Sequence, residues 1–232
     1  MTTDLHVVRV PQLDRRLGRQ CVQDPMSRSF ARGAVVDTST WNDKRIRLYD
    51  PRPNPNQCHG ECTGCAKCMQ LNAVGNRVTG RVLTMYNAHL IYSLASTLDP
   101  WAGSWAPPSW EDTGSSGLAS SKAAQQLNLA GAYRWVFGGA DEAIQTVIDG
   151  DAVSVGTWWY GNMFEMDSAG FVEPTGGRVG GHQWILRGYV ERLDAGVGRC
   201  WWGDEFRDFR IRRSHLNDLL MDDGDAHVQE TL

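Results

Sequence analysis

The chain has 232 residues, is 41% hydrophobic and 22% charged, and carries a net charge of −4. That make-up suits a globular protein with an adequate core, and the absence of a broad basic face argues against a nucleic-acid partner. No stretch reaches membrane-spanning length and the first six residues lack a basic region followed by an apolar run, so the expectation is cytoplasmic synthesis with no signal peptide and no membrane partner. In a reducing setting a cysteine cluster reads as catalytic or metal-binding before it reads as a disulfide framework.

Residues 1–50 read as an N-terminal arm that packs on the rest, with 7–10 and 34–36 as candidate strands flanking the basic stretch from Arg15 to Arg19. Pro51, Pro53 and Pro55 then force an extended approach to Cys58, Cys62, Cys65 and Cys68, four of the six cysteines. A proline-free run over 66–77 follows, so the loop delivers its cysteines to the first turn of a helix. The three- and four-residue spacing of Met85, Leu90, Ile91, Leu94 and Ala95 predicts a second helix over 82–98, stopped by Asp99-Pro100. Residues 100–117 form a long loop holding Trp101, Trp105 and Trp110, and a serine cap opens a helix over 118–129. A short strand at 133–137 and a helix at 141–148 complete the first half.

Beyond residue 150 the period falls to two. Residues 152–159 alternate as a strand, and further strands are expected at 170–172, 182–190, 198–202 and 206–211 before a terminal helix near Ser214. Helices dominate 62–150 and strands dominate 151–212, which predicts an α+β fold with a cleft where the halves meet.

Two chemistries fit the cysteine stretch. A thiol at a helix N-terminus has its pKa lowered by the dipole and becomes a nucleophile. Alternatively Cys58, Cys62, Cys65 and Cys68 hold zinc or an iron–sulfur cluster, although their spacing is not the usual iron–sulfur run. Cys65 and Cys68 also read as small hydrophobes in a core. Among six histidines, His182 stands out because Gly180-Gly181 precede it, and two glycines let another segment approach closely. A lone histidine at a strand start is nonetheless structural more often than not. The pair Trp158-Trp159 reads either as core packing or as a substrate wall.

Taken in order, Gln57, Gly60-Glu61-Cys62-Thr63-Gly64, the segment from Asp112 to Gly117 followed by Leu118-Ala119, Gly181-His182 and Cys200-Trp201-Trp202-Gly203 resemble the papain-like cysteine peptidases, in particular the compact bacterial and phage type. The resemblance covers roughly residues 50–220. It implies a papain-like two-lobed α+β domain over 51–232, with a helical lobe at about 56–150 followed by an antiparallel, barrel-like β lobe at about 151–232. It further implies a peptide or isopeptide hydrolase without a cofactor, acting on a peptide or protein substrate, with virion association or assembly partners as a further expectation. Cys62 would be the nucleophile, His182 the base and Gln57 the oxyanion donor, while Trp158, Trp159 and Gly181 would face the substrate.

Two departures stand out. Gln57 precedes Cys62 by five positions where the family has six, and Cys200 occupies the place of the asparagine that orients the histidine. The pattern Cys-Thr-Gly-x-Ala selects Cys62 as nucleophile, whereas aligning with papain's own Cys-Gly-Ser-Cys-Trp selects Cys65. The rival expectation keeps the fold and drops the chemistry: a catalytically weak or silent binding or structural protein.

Overall fold

The computed structural model describes residues 17–21, 25–73, 82–230 and 232. Its first long element is helix α1 (Cys62–Leu71), in which every residue is buried. A helix enclosed on all sides must have its polar side chains met inside the protein. Lys67 meets this demand by donating from Nζ to Gln70 Oε1 (2.8 Å), Ser121 Oγ (3.1 Å) and Gln229 Oε1 (2.8 Å). At the C-terminal end, Asn72 accepts from the Leu83 amide (2.8 Å) and donates to its carbonyl (2.9 Å), which pins the helix to the next segment.

Helix α2 (Met85–Leu98) starts at a capping box between Thr84 and Asn87. Helix α3 (Gly117–Gln126) starts where Ser116 Oγ accepts from the Ala119 amide (3.0 Å), the serine cap expected from the sequence. These three helices share one core, which Ile185 and Trp201 enter from the sheet.

The sheet has seven antiparallel strands: β1 (Lys44–Arg45), β2 (Tyr133–Trp135), β3 (Val153–Tyr160), β4 (Arg178–Val190), β5 (Ala195–Trp202), β6 (Phe206–Arg212) and β7 (Asp225–Gln229). The order is β2-β7-β3-β4-β5-β6, with β1 paired to β4. Strand β4 is central: its first half pairs with β3, placing His182 opposite Thr157, and its second half pairs with β5. Helices α4 (Gly139–Asp149) and α5 (Arg213–Met221) close a second core against this sheet, so α4 belongs with the strands that follow it rather than with α1 to α3. The fold is α+β, as the segregation of the two periods predicts.

Several expectations shift in detail. Residues 34–36 are not a strand: the Ala34 and Asp37 amides are satisfied by Glu142 and Gln145 side chains of α4 (3.0 Å each), which leaves Val35 87% exposed. The strand expected at 170–172 shrinks to a single bridge between Phe171 and Arg210. Strand β7 was not anticipated, because Asp225 and His227 break its apolar pattern. Residues 7–10 and 74–77 lie outside the described residues. Among the described residues no helix is long and apolar enough to cross a membrane.

Candidate active site

The loop ahead of α1 is held by main-chain bonds to the end of β5. The Gln57 amide donates to the Trp201 carbonyl (2.9 Å), and the Gly203 amide donates to the Pro55 carbonyl (2.9 Å). Asn54 Nδ2 donates to the carbonyls of Cys200 (3.2 Å) and Gly203 (2.8 Å). On the other side, Asp112 accepts from the Gly60 amide (2.8 Å) and from the Tyr92 hydroxyl (2.5 Å), and that hydroxyl accepts from the Gly114 amide (3.0 Å). Asp99 accepts from the hydroxyls of Ser115 and Ser116 (2.7 Å each). The turn that presents Cys62 is therefore fixed between β5 and the segment from Asp112 to Ser116.

Cys62 opens α1, and its sulfur accepts a backbone hydrogen bond from Gln183, the residue after His182 on β4. Cys65 faces away, packing in the helical core with its Sγ 4.0 Å from Met85 Sδ. Cys68 also turns inward, 3.9 Å from the Thr84 carbonyl. The four clustered thiols consequently do not converge on one metal position among the described residues. Successive helical turns send Cys65 and Cys68 into the core beside α2, while Cys58 stays exposed on the preceding loop.

His182 sits on the sheet-core side of β4. Its ring stacks on Trp202 (centroids 4.1 Å apart), meets the edge of Trp159 (5.0 Å), and places Nε2 3.3 Å from Cys200 Sγ. The other ring nitrogen, Nδ1, is buried without a hydrogen-bond partner. Trp159 is fully buried among Trp202, Phe206 and Phe209, so it backs the histidine rather than facing solvent. Trp158 is half-buried under the Arg178 guanidinium. Gln57 is buried, with its side-chain amide donating to the His59 carbonyl (3.1 Å) in its own turn.

The groove above Cys62 is already filled by the chain itself. The amides of Gly18 and Arg19 both donate to the Gly181 carbonyl (3.1 and 3.0 Å), the Gln20 amide donates to the Ser115 carbonyl (2.9 Å), and the Ser115 amide donates to the Gly18 carbonyl (2.8 Å). A short peptide, bonded through its main chain on both sides, thus lies between the glycine pair of β4 and the Asp112–Ser116 segment. It fits only because the walls lack side chains: a Cβ on Gly181 would stand 2.1 Å from the Arg19 carbonyl oxygen, and one on Gly18 would stand 1.9 Å from that of Gly60. The close approach that Gly180-Gly181 permits is made by this strap.

Arg19 anchors the strap. Its buried guanidinium donates to Asp225 Oδ2 through Nε (3.1 Å) and Nη2 (2.6 Å), and to the Asp223 carbonyl (2.7 Å). Burial works against this charge, but Asp225 outweighs it and holds the group above its ordinary pKa. Neither residue carries a sequence signal of its own. Only their position on either side of the groove marks them.

The covered site is electrically quiet. Burial pushes the Cys62 thiol up to about 12, against the pull of backbone hydrogen bonds from Gln183, Gly18 and Thr63 and of the Arg19 charge. Burial likewise pushes His182 down to about 3. The lowered thiol pKa expected at a helix N-terminus is therefore overridden by burial, which removes the water that would solvate a thiolate.

No family model matches the chain, and no curated protein matches it. Solved structures do. Xylellain, a cysteine protease from Xylella fastidiosa, superposes with a TM-score of 0.69 over 94% of this chain and 97% of that one, at 14% identity. A digestive procathepsin L 3 from Tenebrio molitor larval midgut gives a TM-score of 0.58 over 94% of this chain and 76% of that one, at 10% identity. The Carica candamarcensis cysteine protease CMS1MS2, in complex with E-64, gives 0.51 over 78% and 93%, at 14% identity. The chain has the papain-like cysteine peptidase fold.

Proposed function

We propose that the protein is a cysteine peptidase held latent by residues 17–20. The observation that carries this reading is the strap: a short peptide, bonded through its backbone on both sides, already crosses the Cys62 sulfur. A groove that satisfies amides and carbonyls irrespective of side chain is a groove for polypeptide. With the strap displaced, water re-enters and the desolvation that keeps both groups neutral is relieved; His182 Nδ1, which has no hydrogen-bond partner in the covered form, would then have to meet the Cys62 sulfur to take its proton. Attack of the thiolate on a peptide carbonyl would then form the C–S bond, with the backbone amide of Cys62 and the Gln57 side chain beside the oxyanion. The C–N bond breaks as His182 gives its proton to the leaving amine, and water, deprotonated by His182, then hydrolyses the acyl-enzyme to acid and free thiol. Gln57 would first have to release the His59 carbonyl.

A second reading rests on Cys200. A thiol is a weak hydrogen-bond partner, so His182 is held chiefly by stacking on Trp202, and the same groove could bind a peptide without cleaving it.

One experiment separates the two. The full chain carrying Arg19→Ala, which loosens the strap, is treated with substoichiometric iodoacetamide near pH 6, mapped by mass spectrometry, and assayed on a fluorogenic peptide library. Hydrolysis lost in Cys62→Ala, together with Cys62 labelling that depends on His182, supports the peptidase. Slow, uniform labelling without hydrolysis in the opened protein overturns it and leaves a binding groove.

A further inference from the structure

The hydrolytic reading leaves one cluster beside the nucleophile unused. Glu61, the residue preceding Cys62, is fully buried, and its carboxylate points away from the groove toward the first turns of α2. There Oε2 faces Nδ1 of His89, while Oε1 lies 3.8 Å from Cys58 Sγ and accepts from the Cys58 amide (3.3 Å). One thiol, one carboxylate and one imidazole thus place their donor atoms within 4.8 Å of one another. Tight packing sets this up, because Gly64 of α1 lies so close to α2 that a Cβ on it would stand 2.3 Å from the Ala88 carbonyl oxygen. That contact brings His89 over the start of α1.

A second observation points to an ion. Glu61 Oε2 and His89 Nδ1 are buried and pair directly with each other, and neither atom has a further hydrogen-bond partner. A buried carboxylate is expected to be hydrogen-bonded or coordinated. A cation that replaced the proton of this pair would be held by both atoms at once.

We infer that Cys58, Glu61 and His89 form a site for a zinc-like divalent cation. Thiolate with imidazole and carboxylate is a borderline-soft donor set, suited to zinc and unlike the all-oxygen shells of magnesium and calcium. Tetrahedral zinc with ordinary bond lengths separates its donors by about 3.3–3.8 Å, so metal entry parts Glu61 Oε2 from His89 Nδ1 and draws the Cys58 sulfur in. Cys58 is exposed and the His89 side chain is 38% exposed, which leaves an entry path and a fourth position for water. His59, whose ring centroid lies 6.2 Å from that of His89, is the nearest alternative fourth donor. Since Glu61 and Cys58 bracket the turn that presents Cys62, occupancy would stiffen that turn from outside the groove. Binding requires Cys58 to lose its proton, so affinity falls as pH drops.

The test uses the full chain, stripped with a chelator and titrated with Co²⁺ and then Zn²⁺. Expected are one equivalent bound, a thiolate-to-cobalt charge-transfer band, and displacement of cobalt by zinc. Cys58→Ser abolishes the band, and His89→Ala weakens binding by about 10-fold or more. Both residues are accessible, so these variants keep the proposal open to refutation even if Glu61→Gln, at a buried position, fails to fold. Absence of stoichiometric binding overturns the inference. So does a thiolate band that survives Cys58→Ser and disappears in Cys65→Ser or Cys68→Ser.

Discussion

Removing the Arg19 side chain is the most direct probe of the strap. In Arg19→Ala the closed form keeps Asp225 buried without its cation, and stripping one partner from a buried pair costs about 3–5 kcal/mol. Asp225 has partial relief in the Gln183 Nε2 amide at 3.4 Å, which argues for the lower end of that range. Opening the strap hydrates Asp225 and escapes the penalty, so the substitution acts mainly on the closed form. At about 1.4 kcal/mol per decade, some 3 kcal/mol multiplies the open population about 100-fold. When reclosing is fast, alkylation of Cys62 follows that population. The assay is the iodoacetamide rate constant at Cys62, read by peptide mapping, for wild type and Arg19→Ala at equal pH. Far-UV circular dichroism and thermal midpoints serve to show that the fold is intact. An unchanged Cys62 rate in a folded Arg19→Ala protein would refute the strap as the barrier.

Three further outcomes follow from the structure. Gly181→Ala drives a methyl group into the Arg19 carbonyl and should raise Cys62 labelling as Arg19→Ala does. Lys67, pushed down to about 7 by burial, is charged more readily unfolded than folded, so it costs stability below pH 7 and the cost fades as pH rises toward its ordinary value of 10.5. Denaturant titrations should therefore show stability rising across that window by on the order of 5 kcal/mol, a slope absent from Lys67→Met. His182, held neutral down to about 3, makes the unfolded chain the stronger proton binder below its ordinary pKa of 6.5. Stability should fall as pH drops from 6.5 toward 3, and His182→Phe should flatten that fall in acid-unfolding curves.

The fold was legible in the sequence because its two periods are segregated. The three- and four-residue spacing in α2 marks an element with one buried face, whereas the alternation from Val153 to Trp159 marks a strand that is buried on both faces as far as Thr157. Strand β7 escaped notice because its burial is achieved through polar partners. Gln229 is buried through Lys67 and the Gly131 carbonyl, and Asp225 through Arg19. The position of Cys62 at the head of α1 and the glycine-preceded His182 were visible as local patterns, since each needs only its own neighbours. The strap was not, because Gly18 and Arg19 acquire meaning only through Gly60, Ser115 and Asp225, which are distant in sequence. The Cys58–Glu61–His89 cluster was hidden for the same reason: its third member comes from a different helix.

Whether His182 can serve as a base turns on Cys200. Its Sγ stands 3.3 Å from Nε2, is buried, and offers only a weak acceptor to a ring N–H. An amide oxygen in its place would fix the tautomer that carries hydrogen on Nε2 and leave Nδ1 to take a proton. A net gain of about 1 kcal/mol from such a bond corresponds to about 5-fold in the fraction of productive imidazole. Cys200→Asn, built on Arg19→Ala so that the groove is open, should therefore shift the pH profile of Cys62 alkylation toward acid and raise the rate near pH 6 by about that factor. The substitution also introduces a buried amide N–H, and if unpaired it lowers stability by about 1–3 kcal/mol, which denaturant titration detects separately. Cys200→Ala removes the contact without replacing it and should leave the profile unshifted or move it the other way. Identical profiles for Cys200→Asn and Cys200→Ala would mean that the stacking on Trp202, and not the Nε2 contact, sets the imidazole, and that the thiol in this position neither helps nor hinders the chemistry.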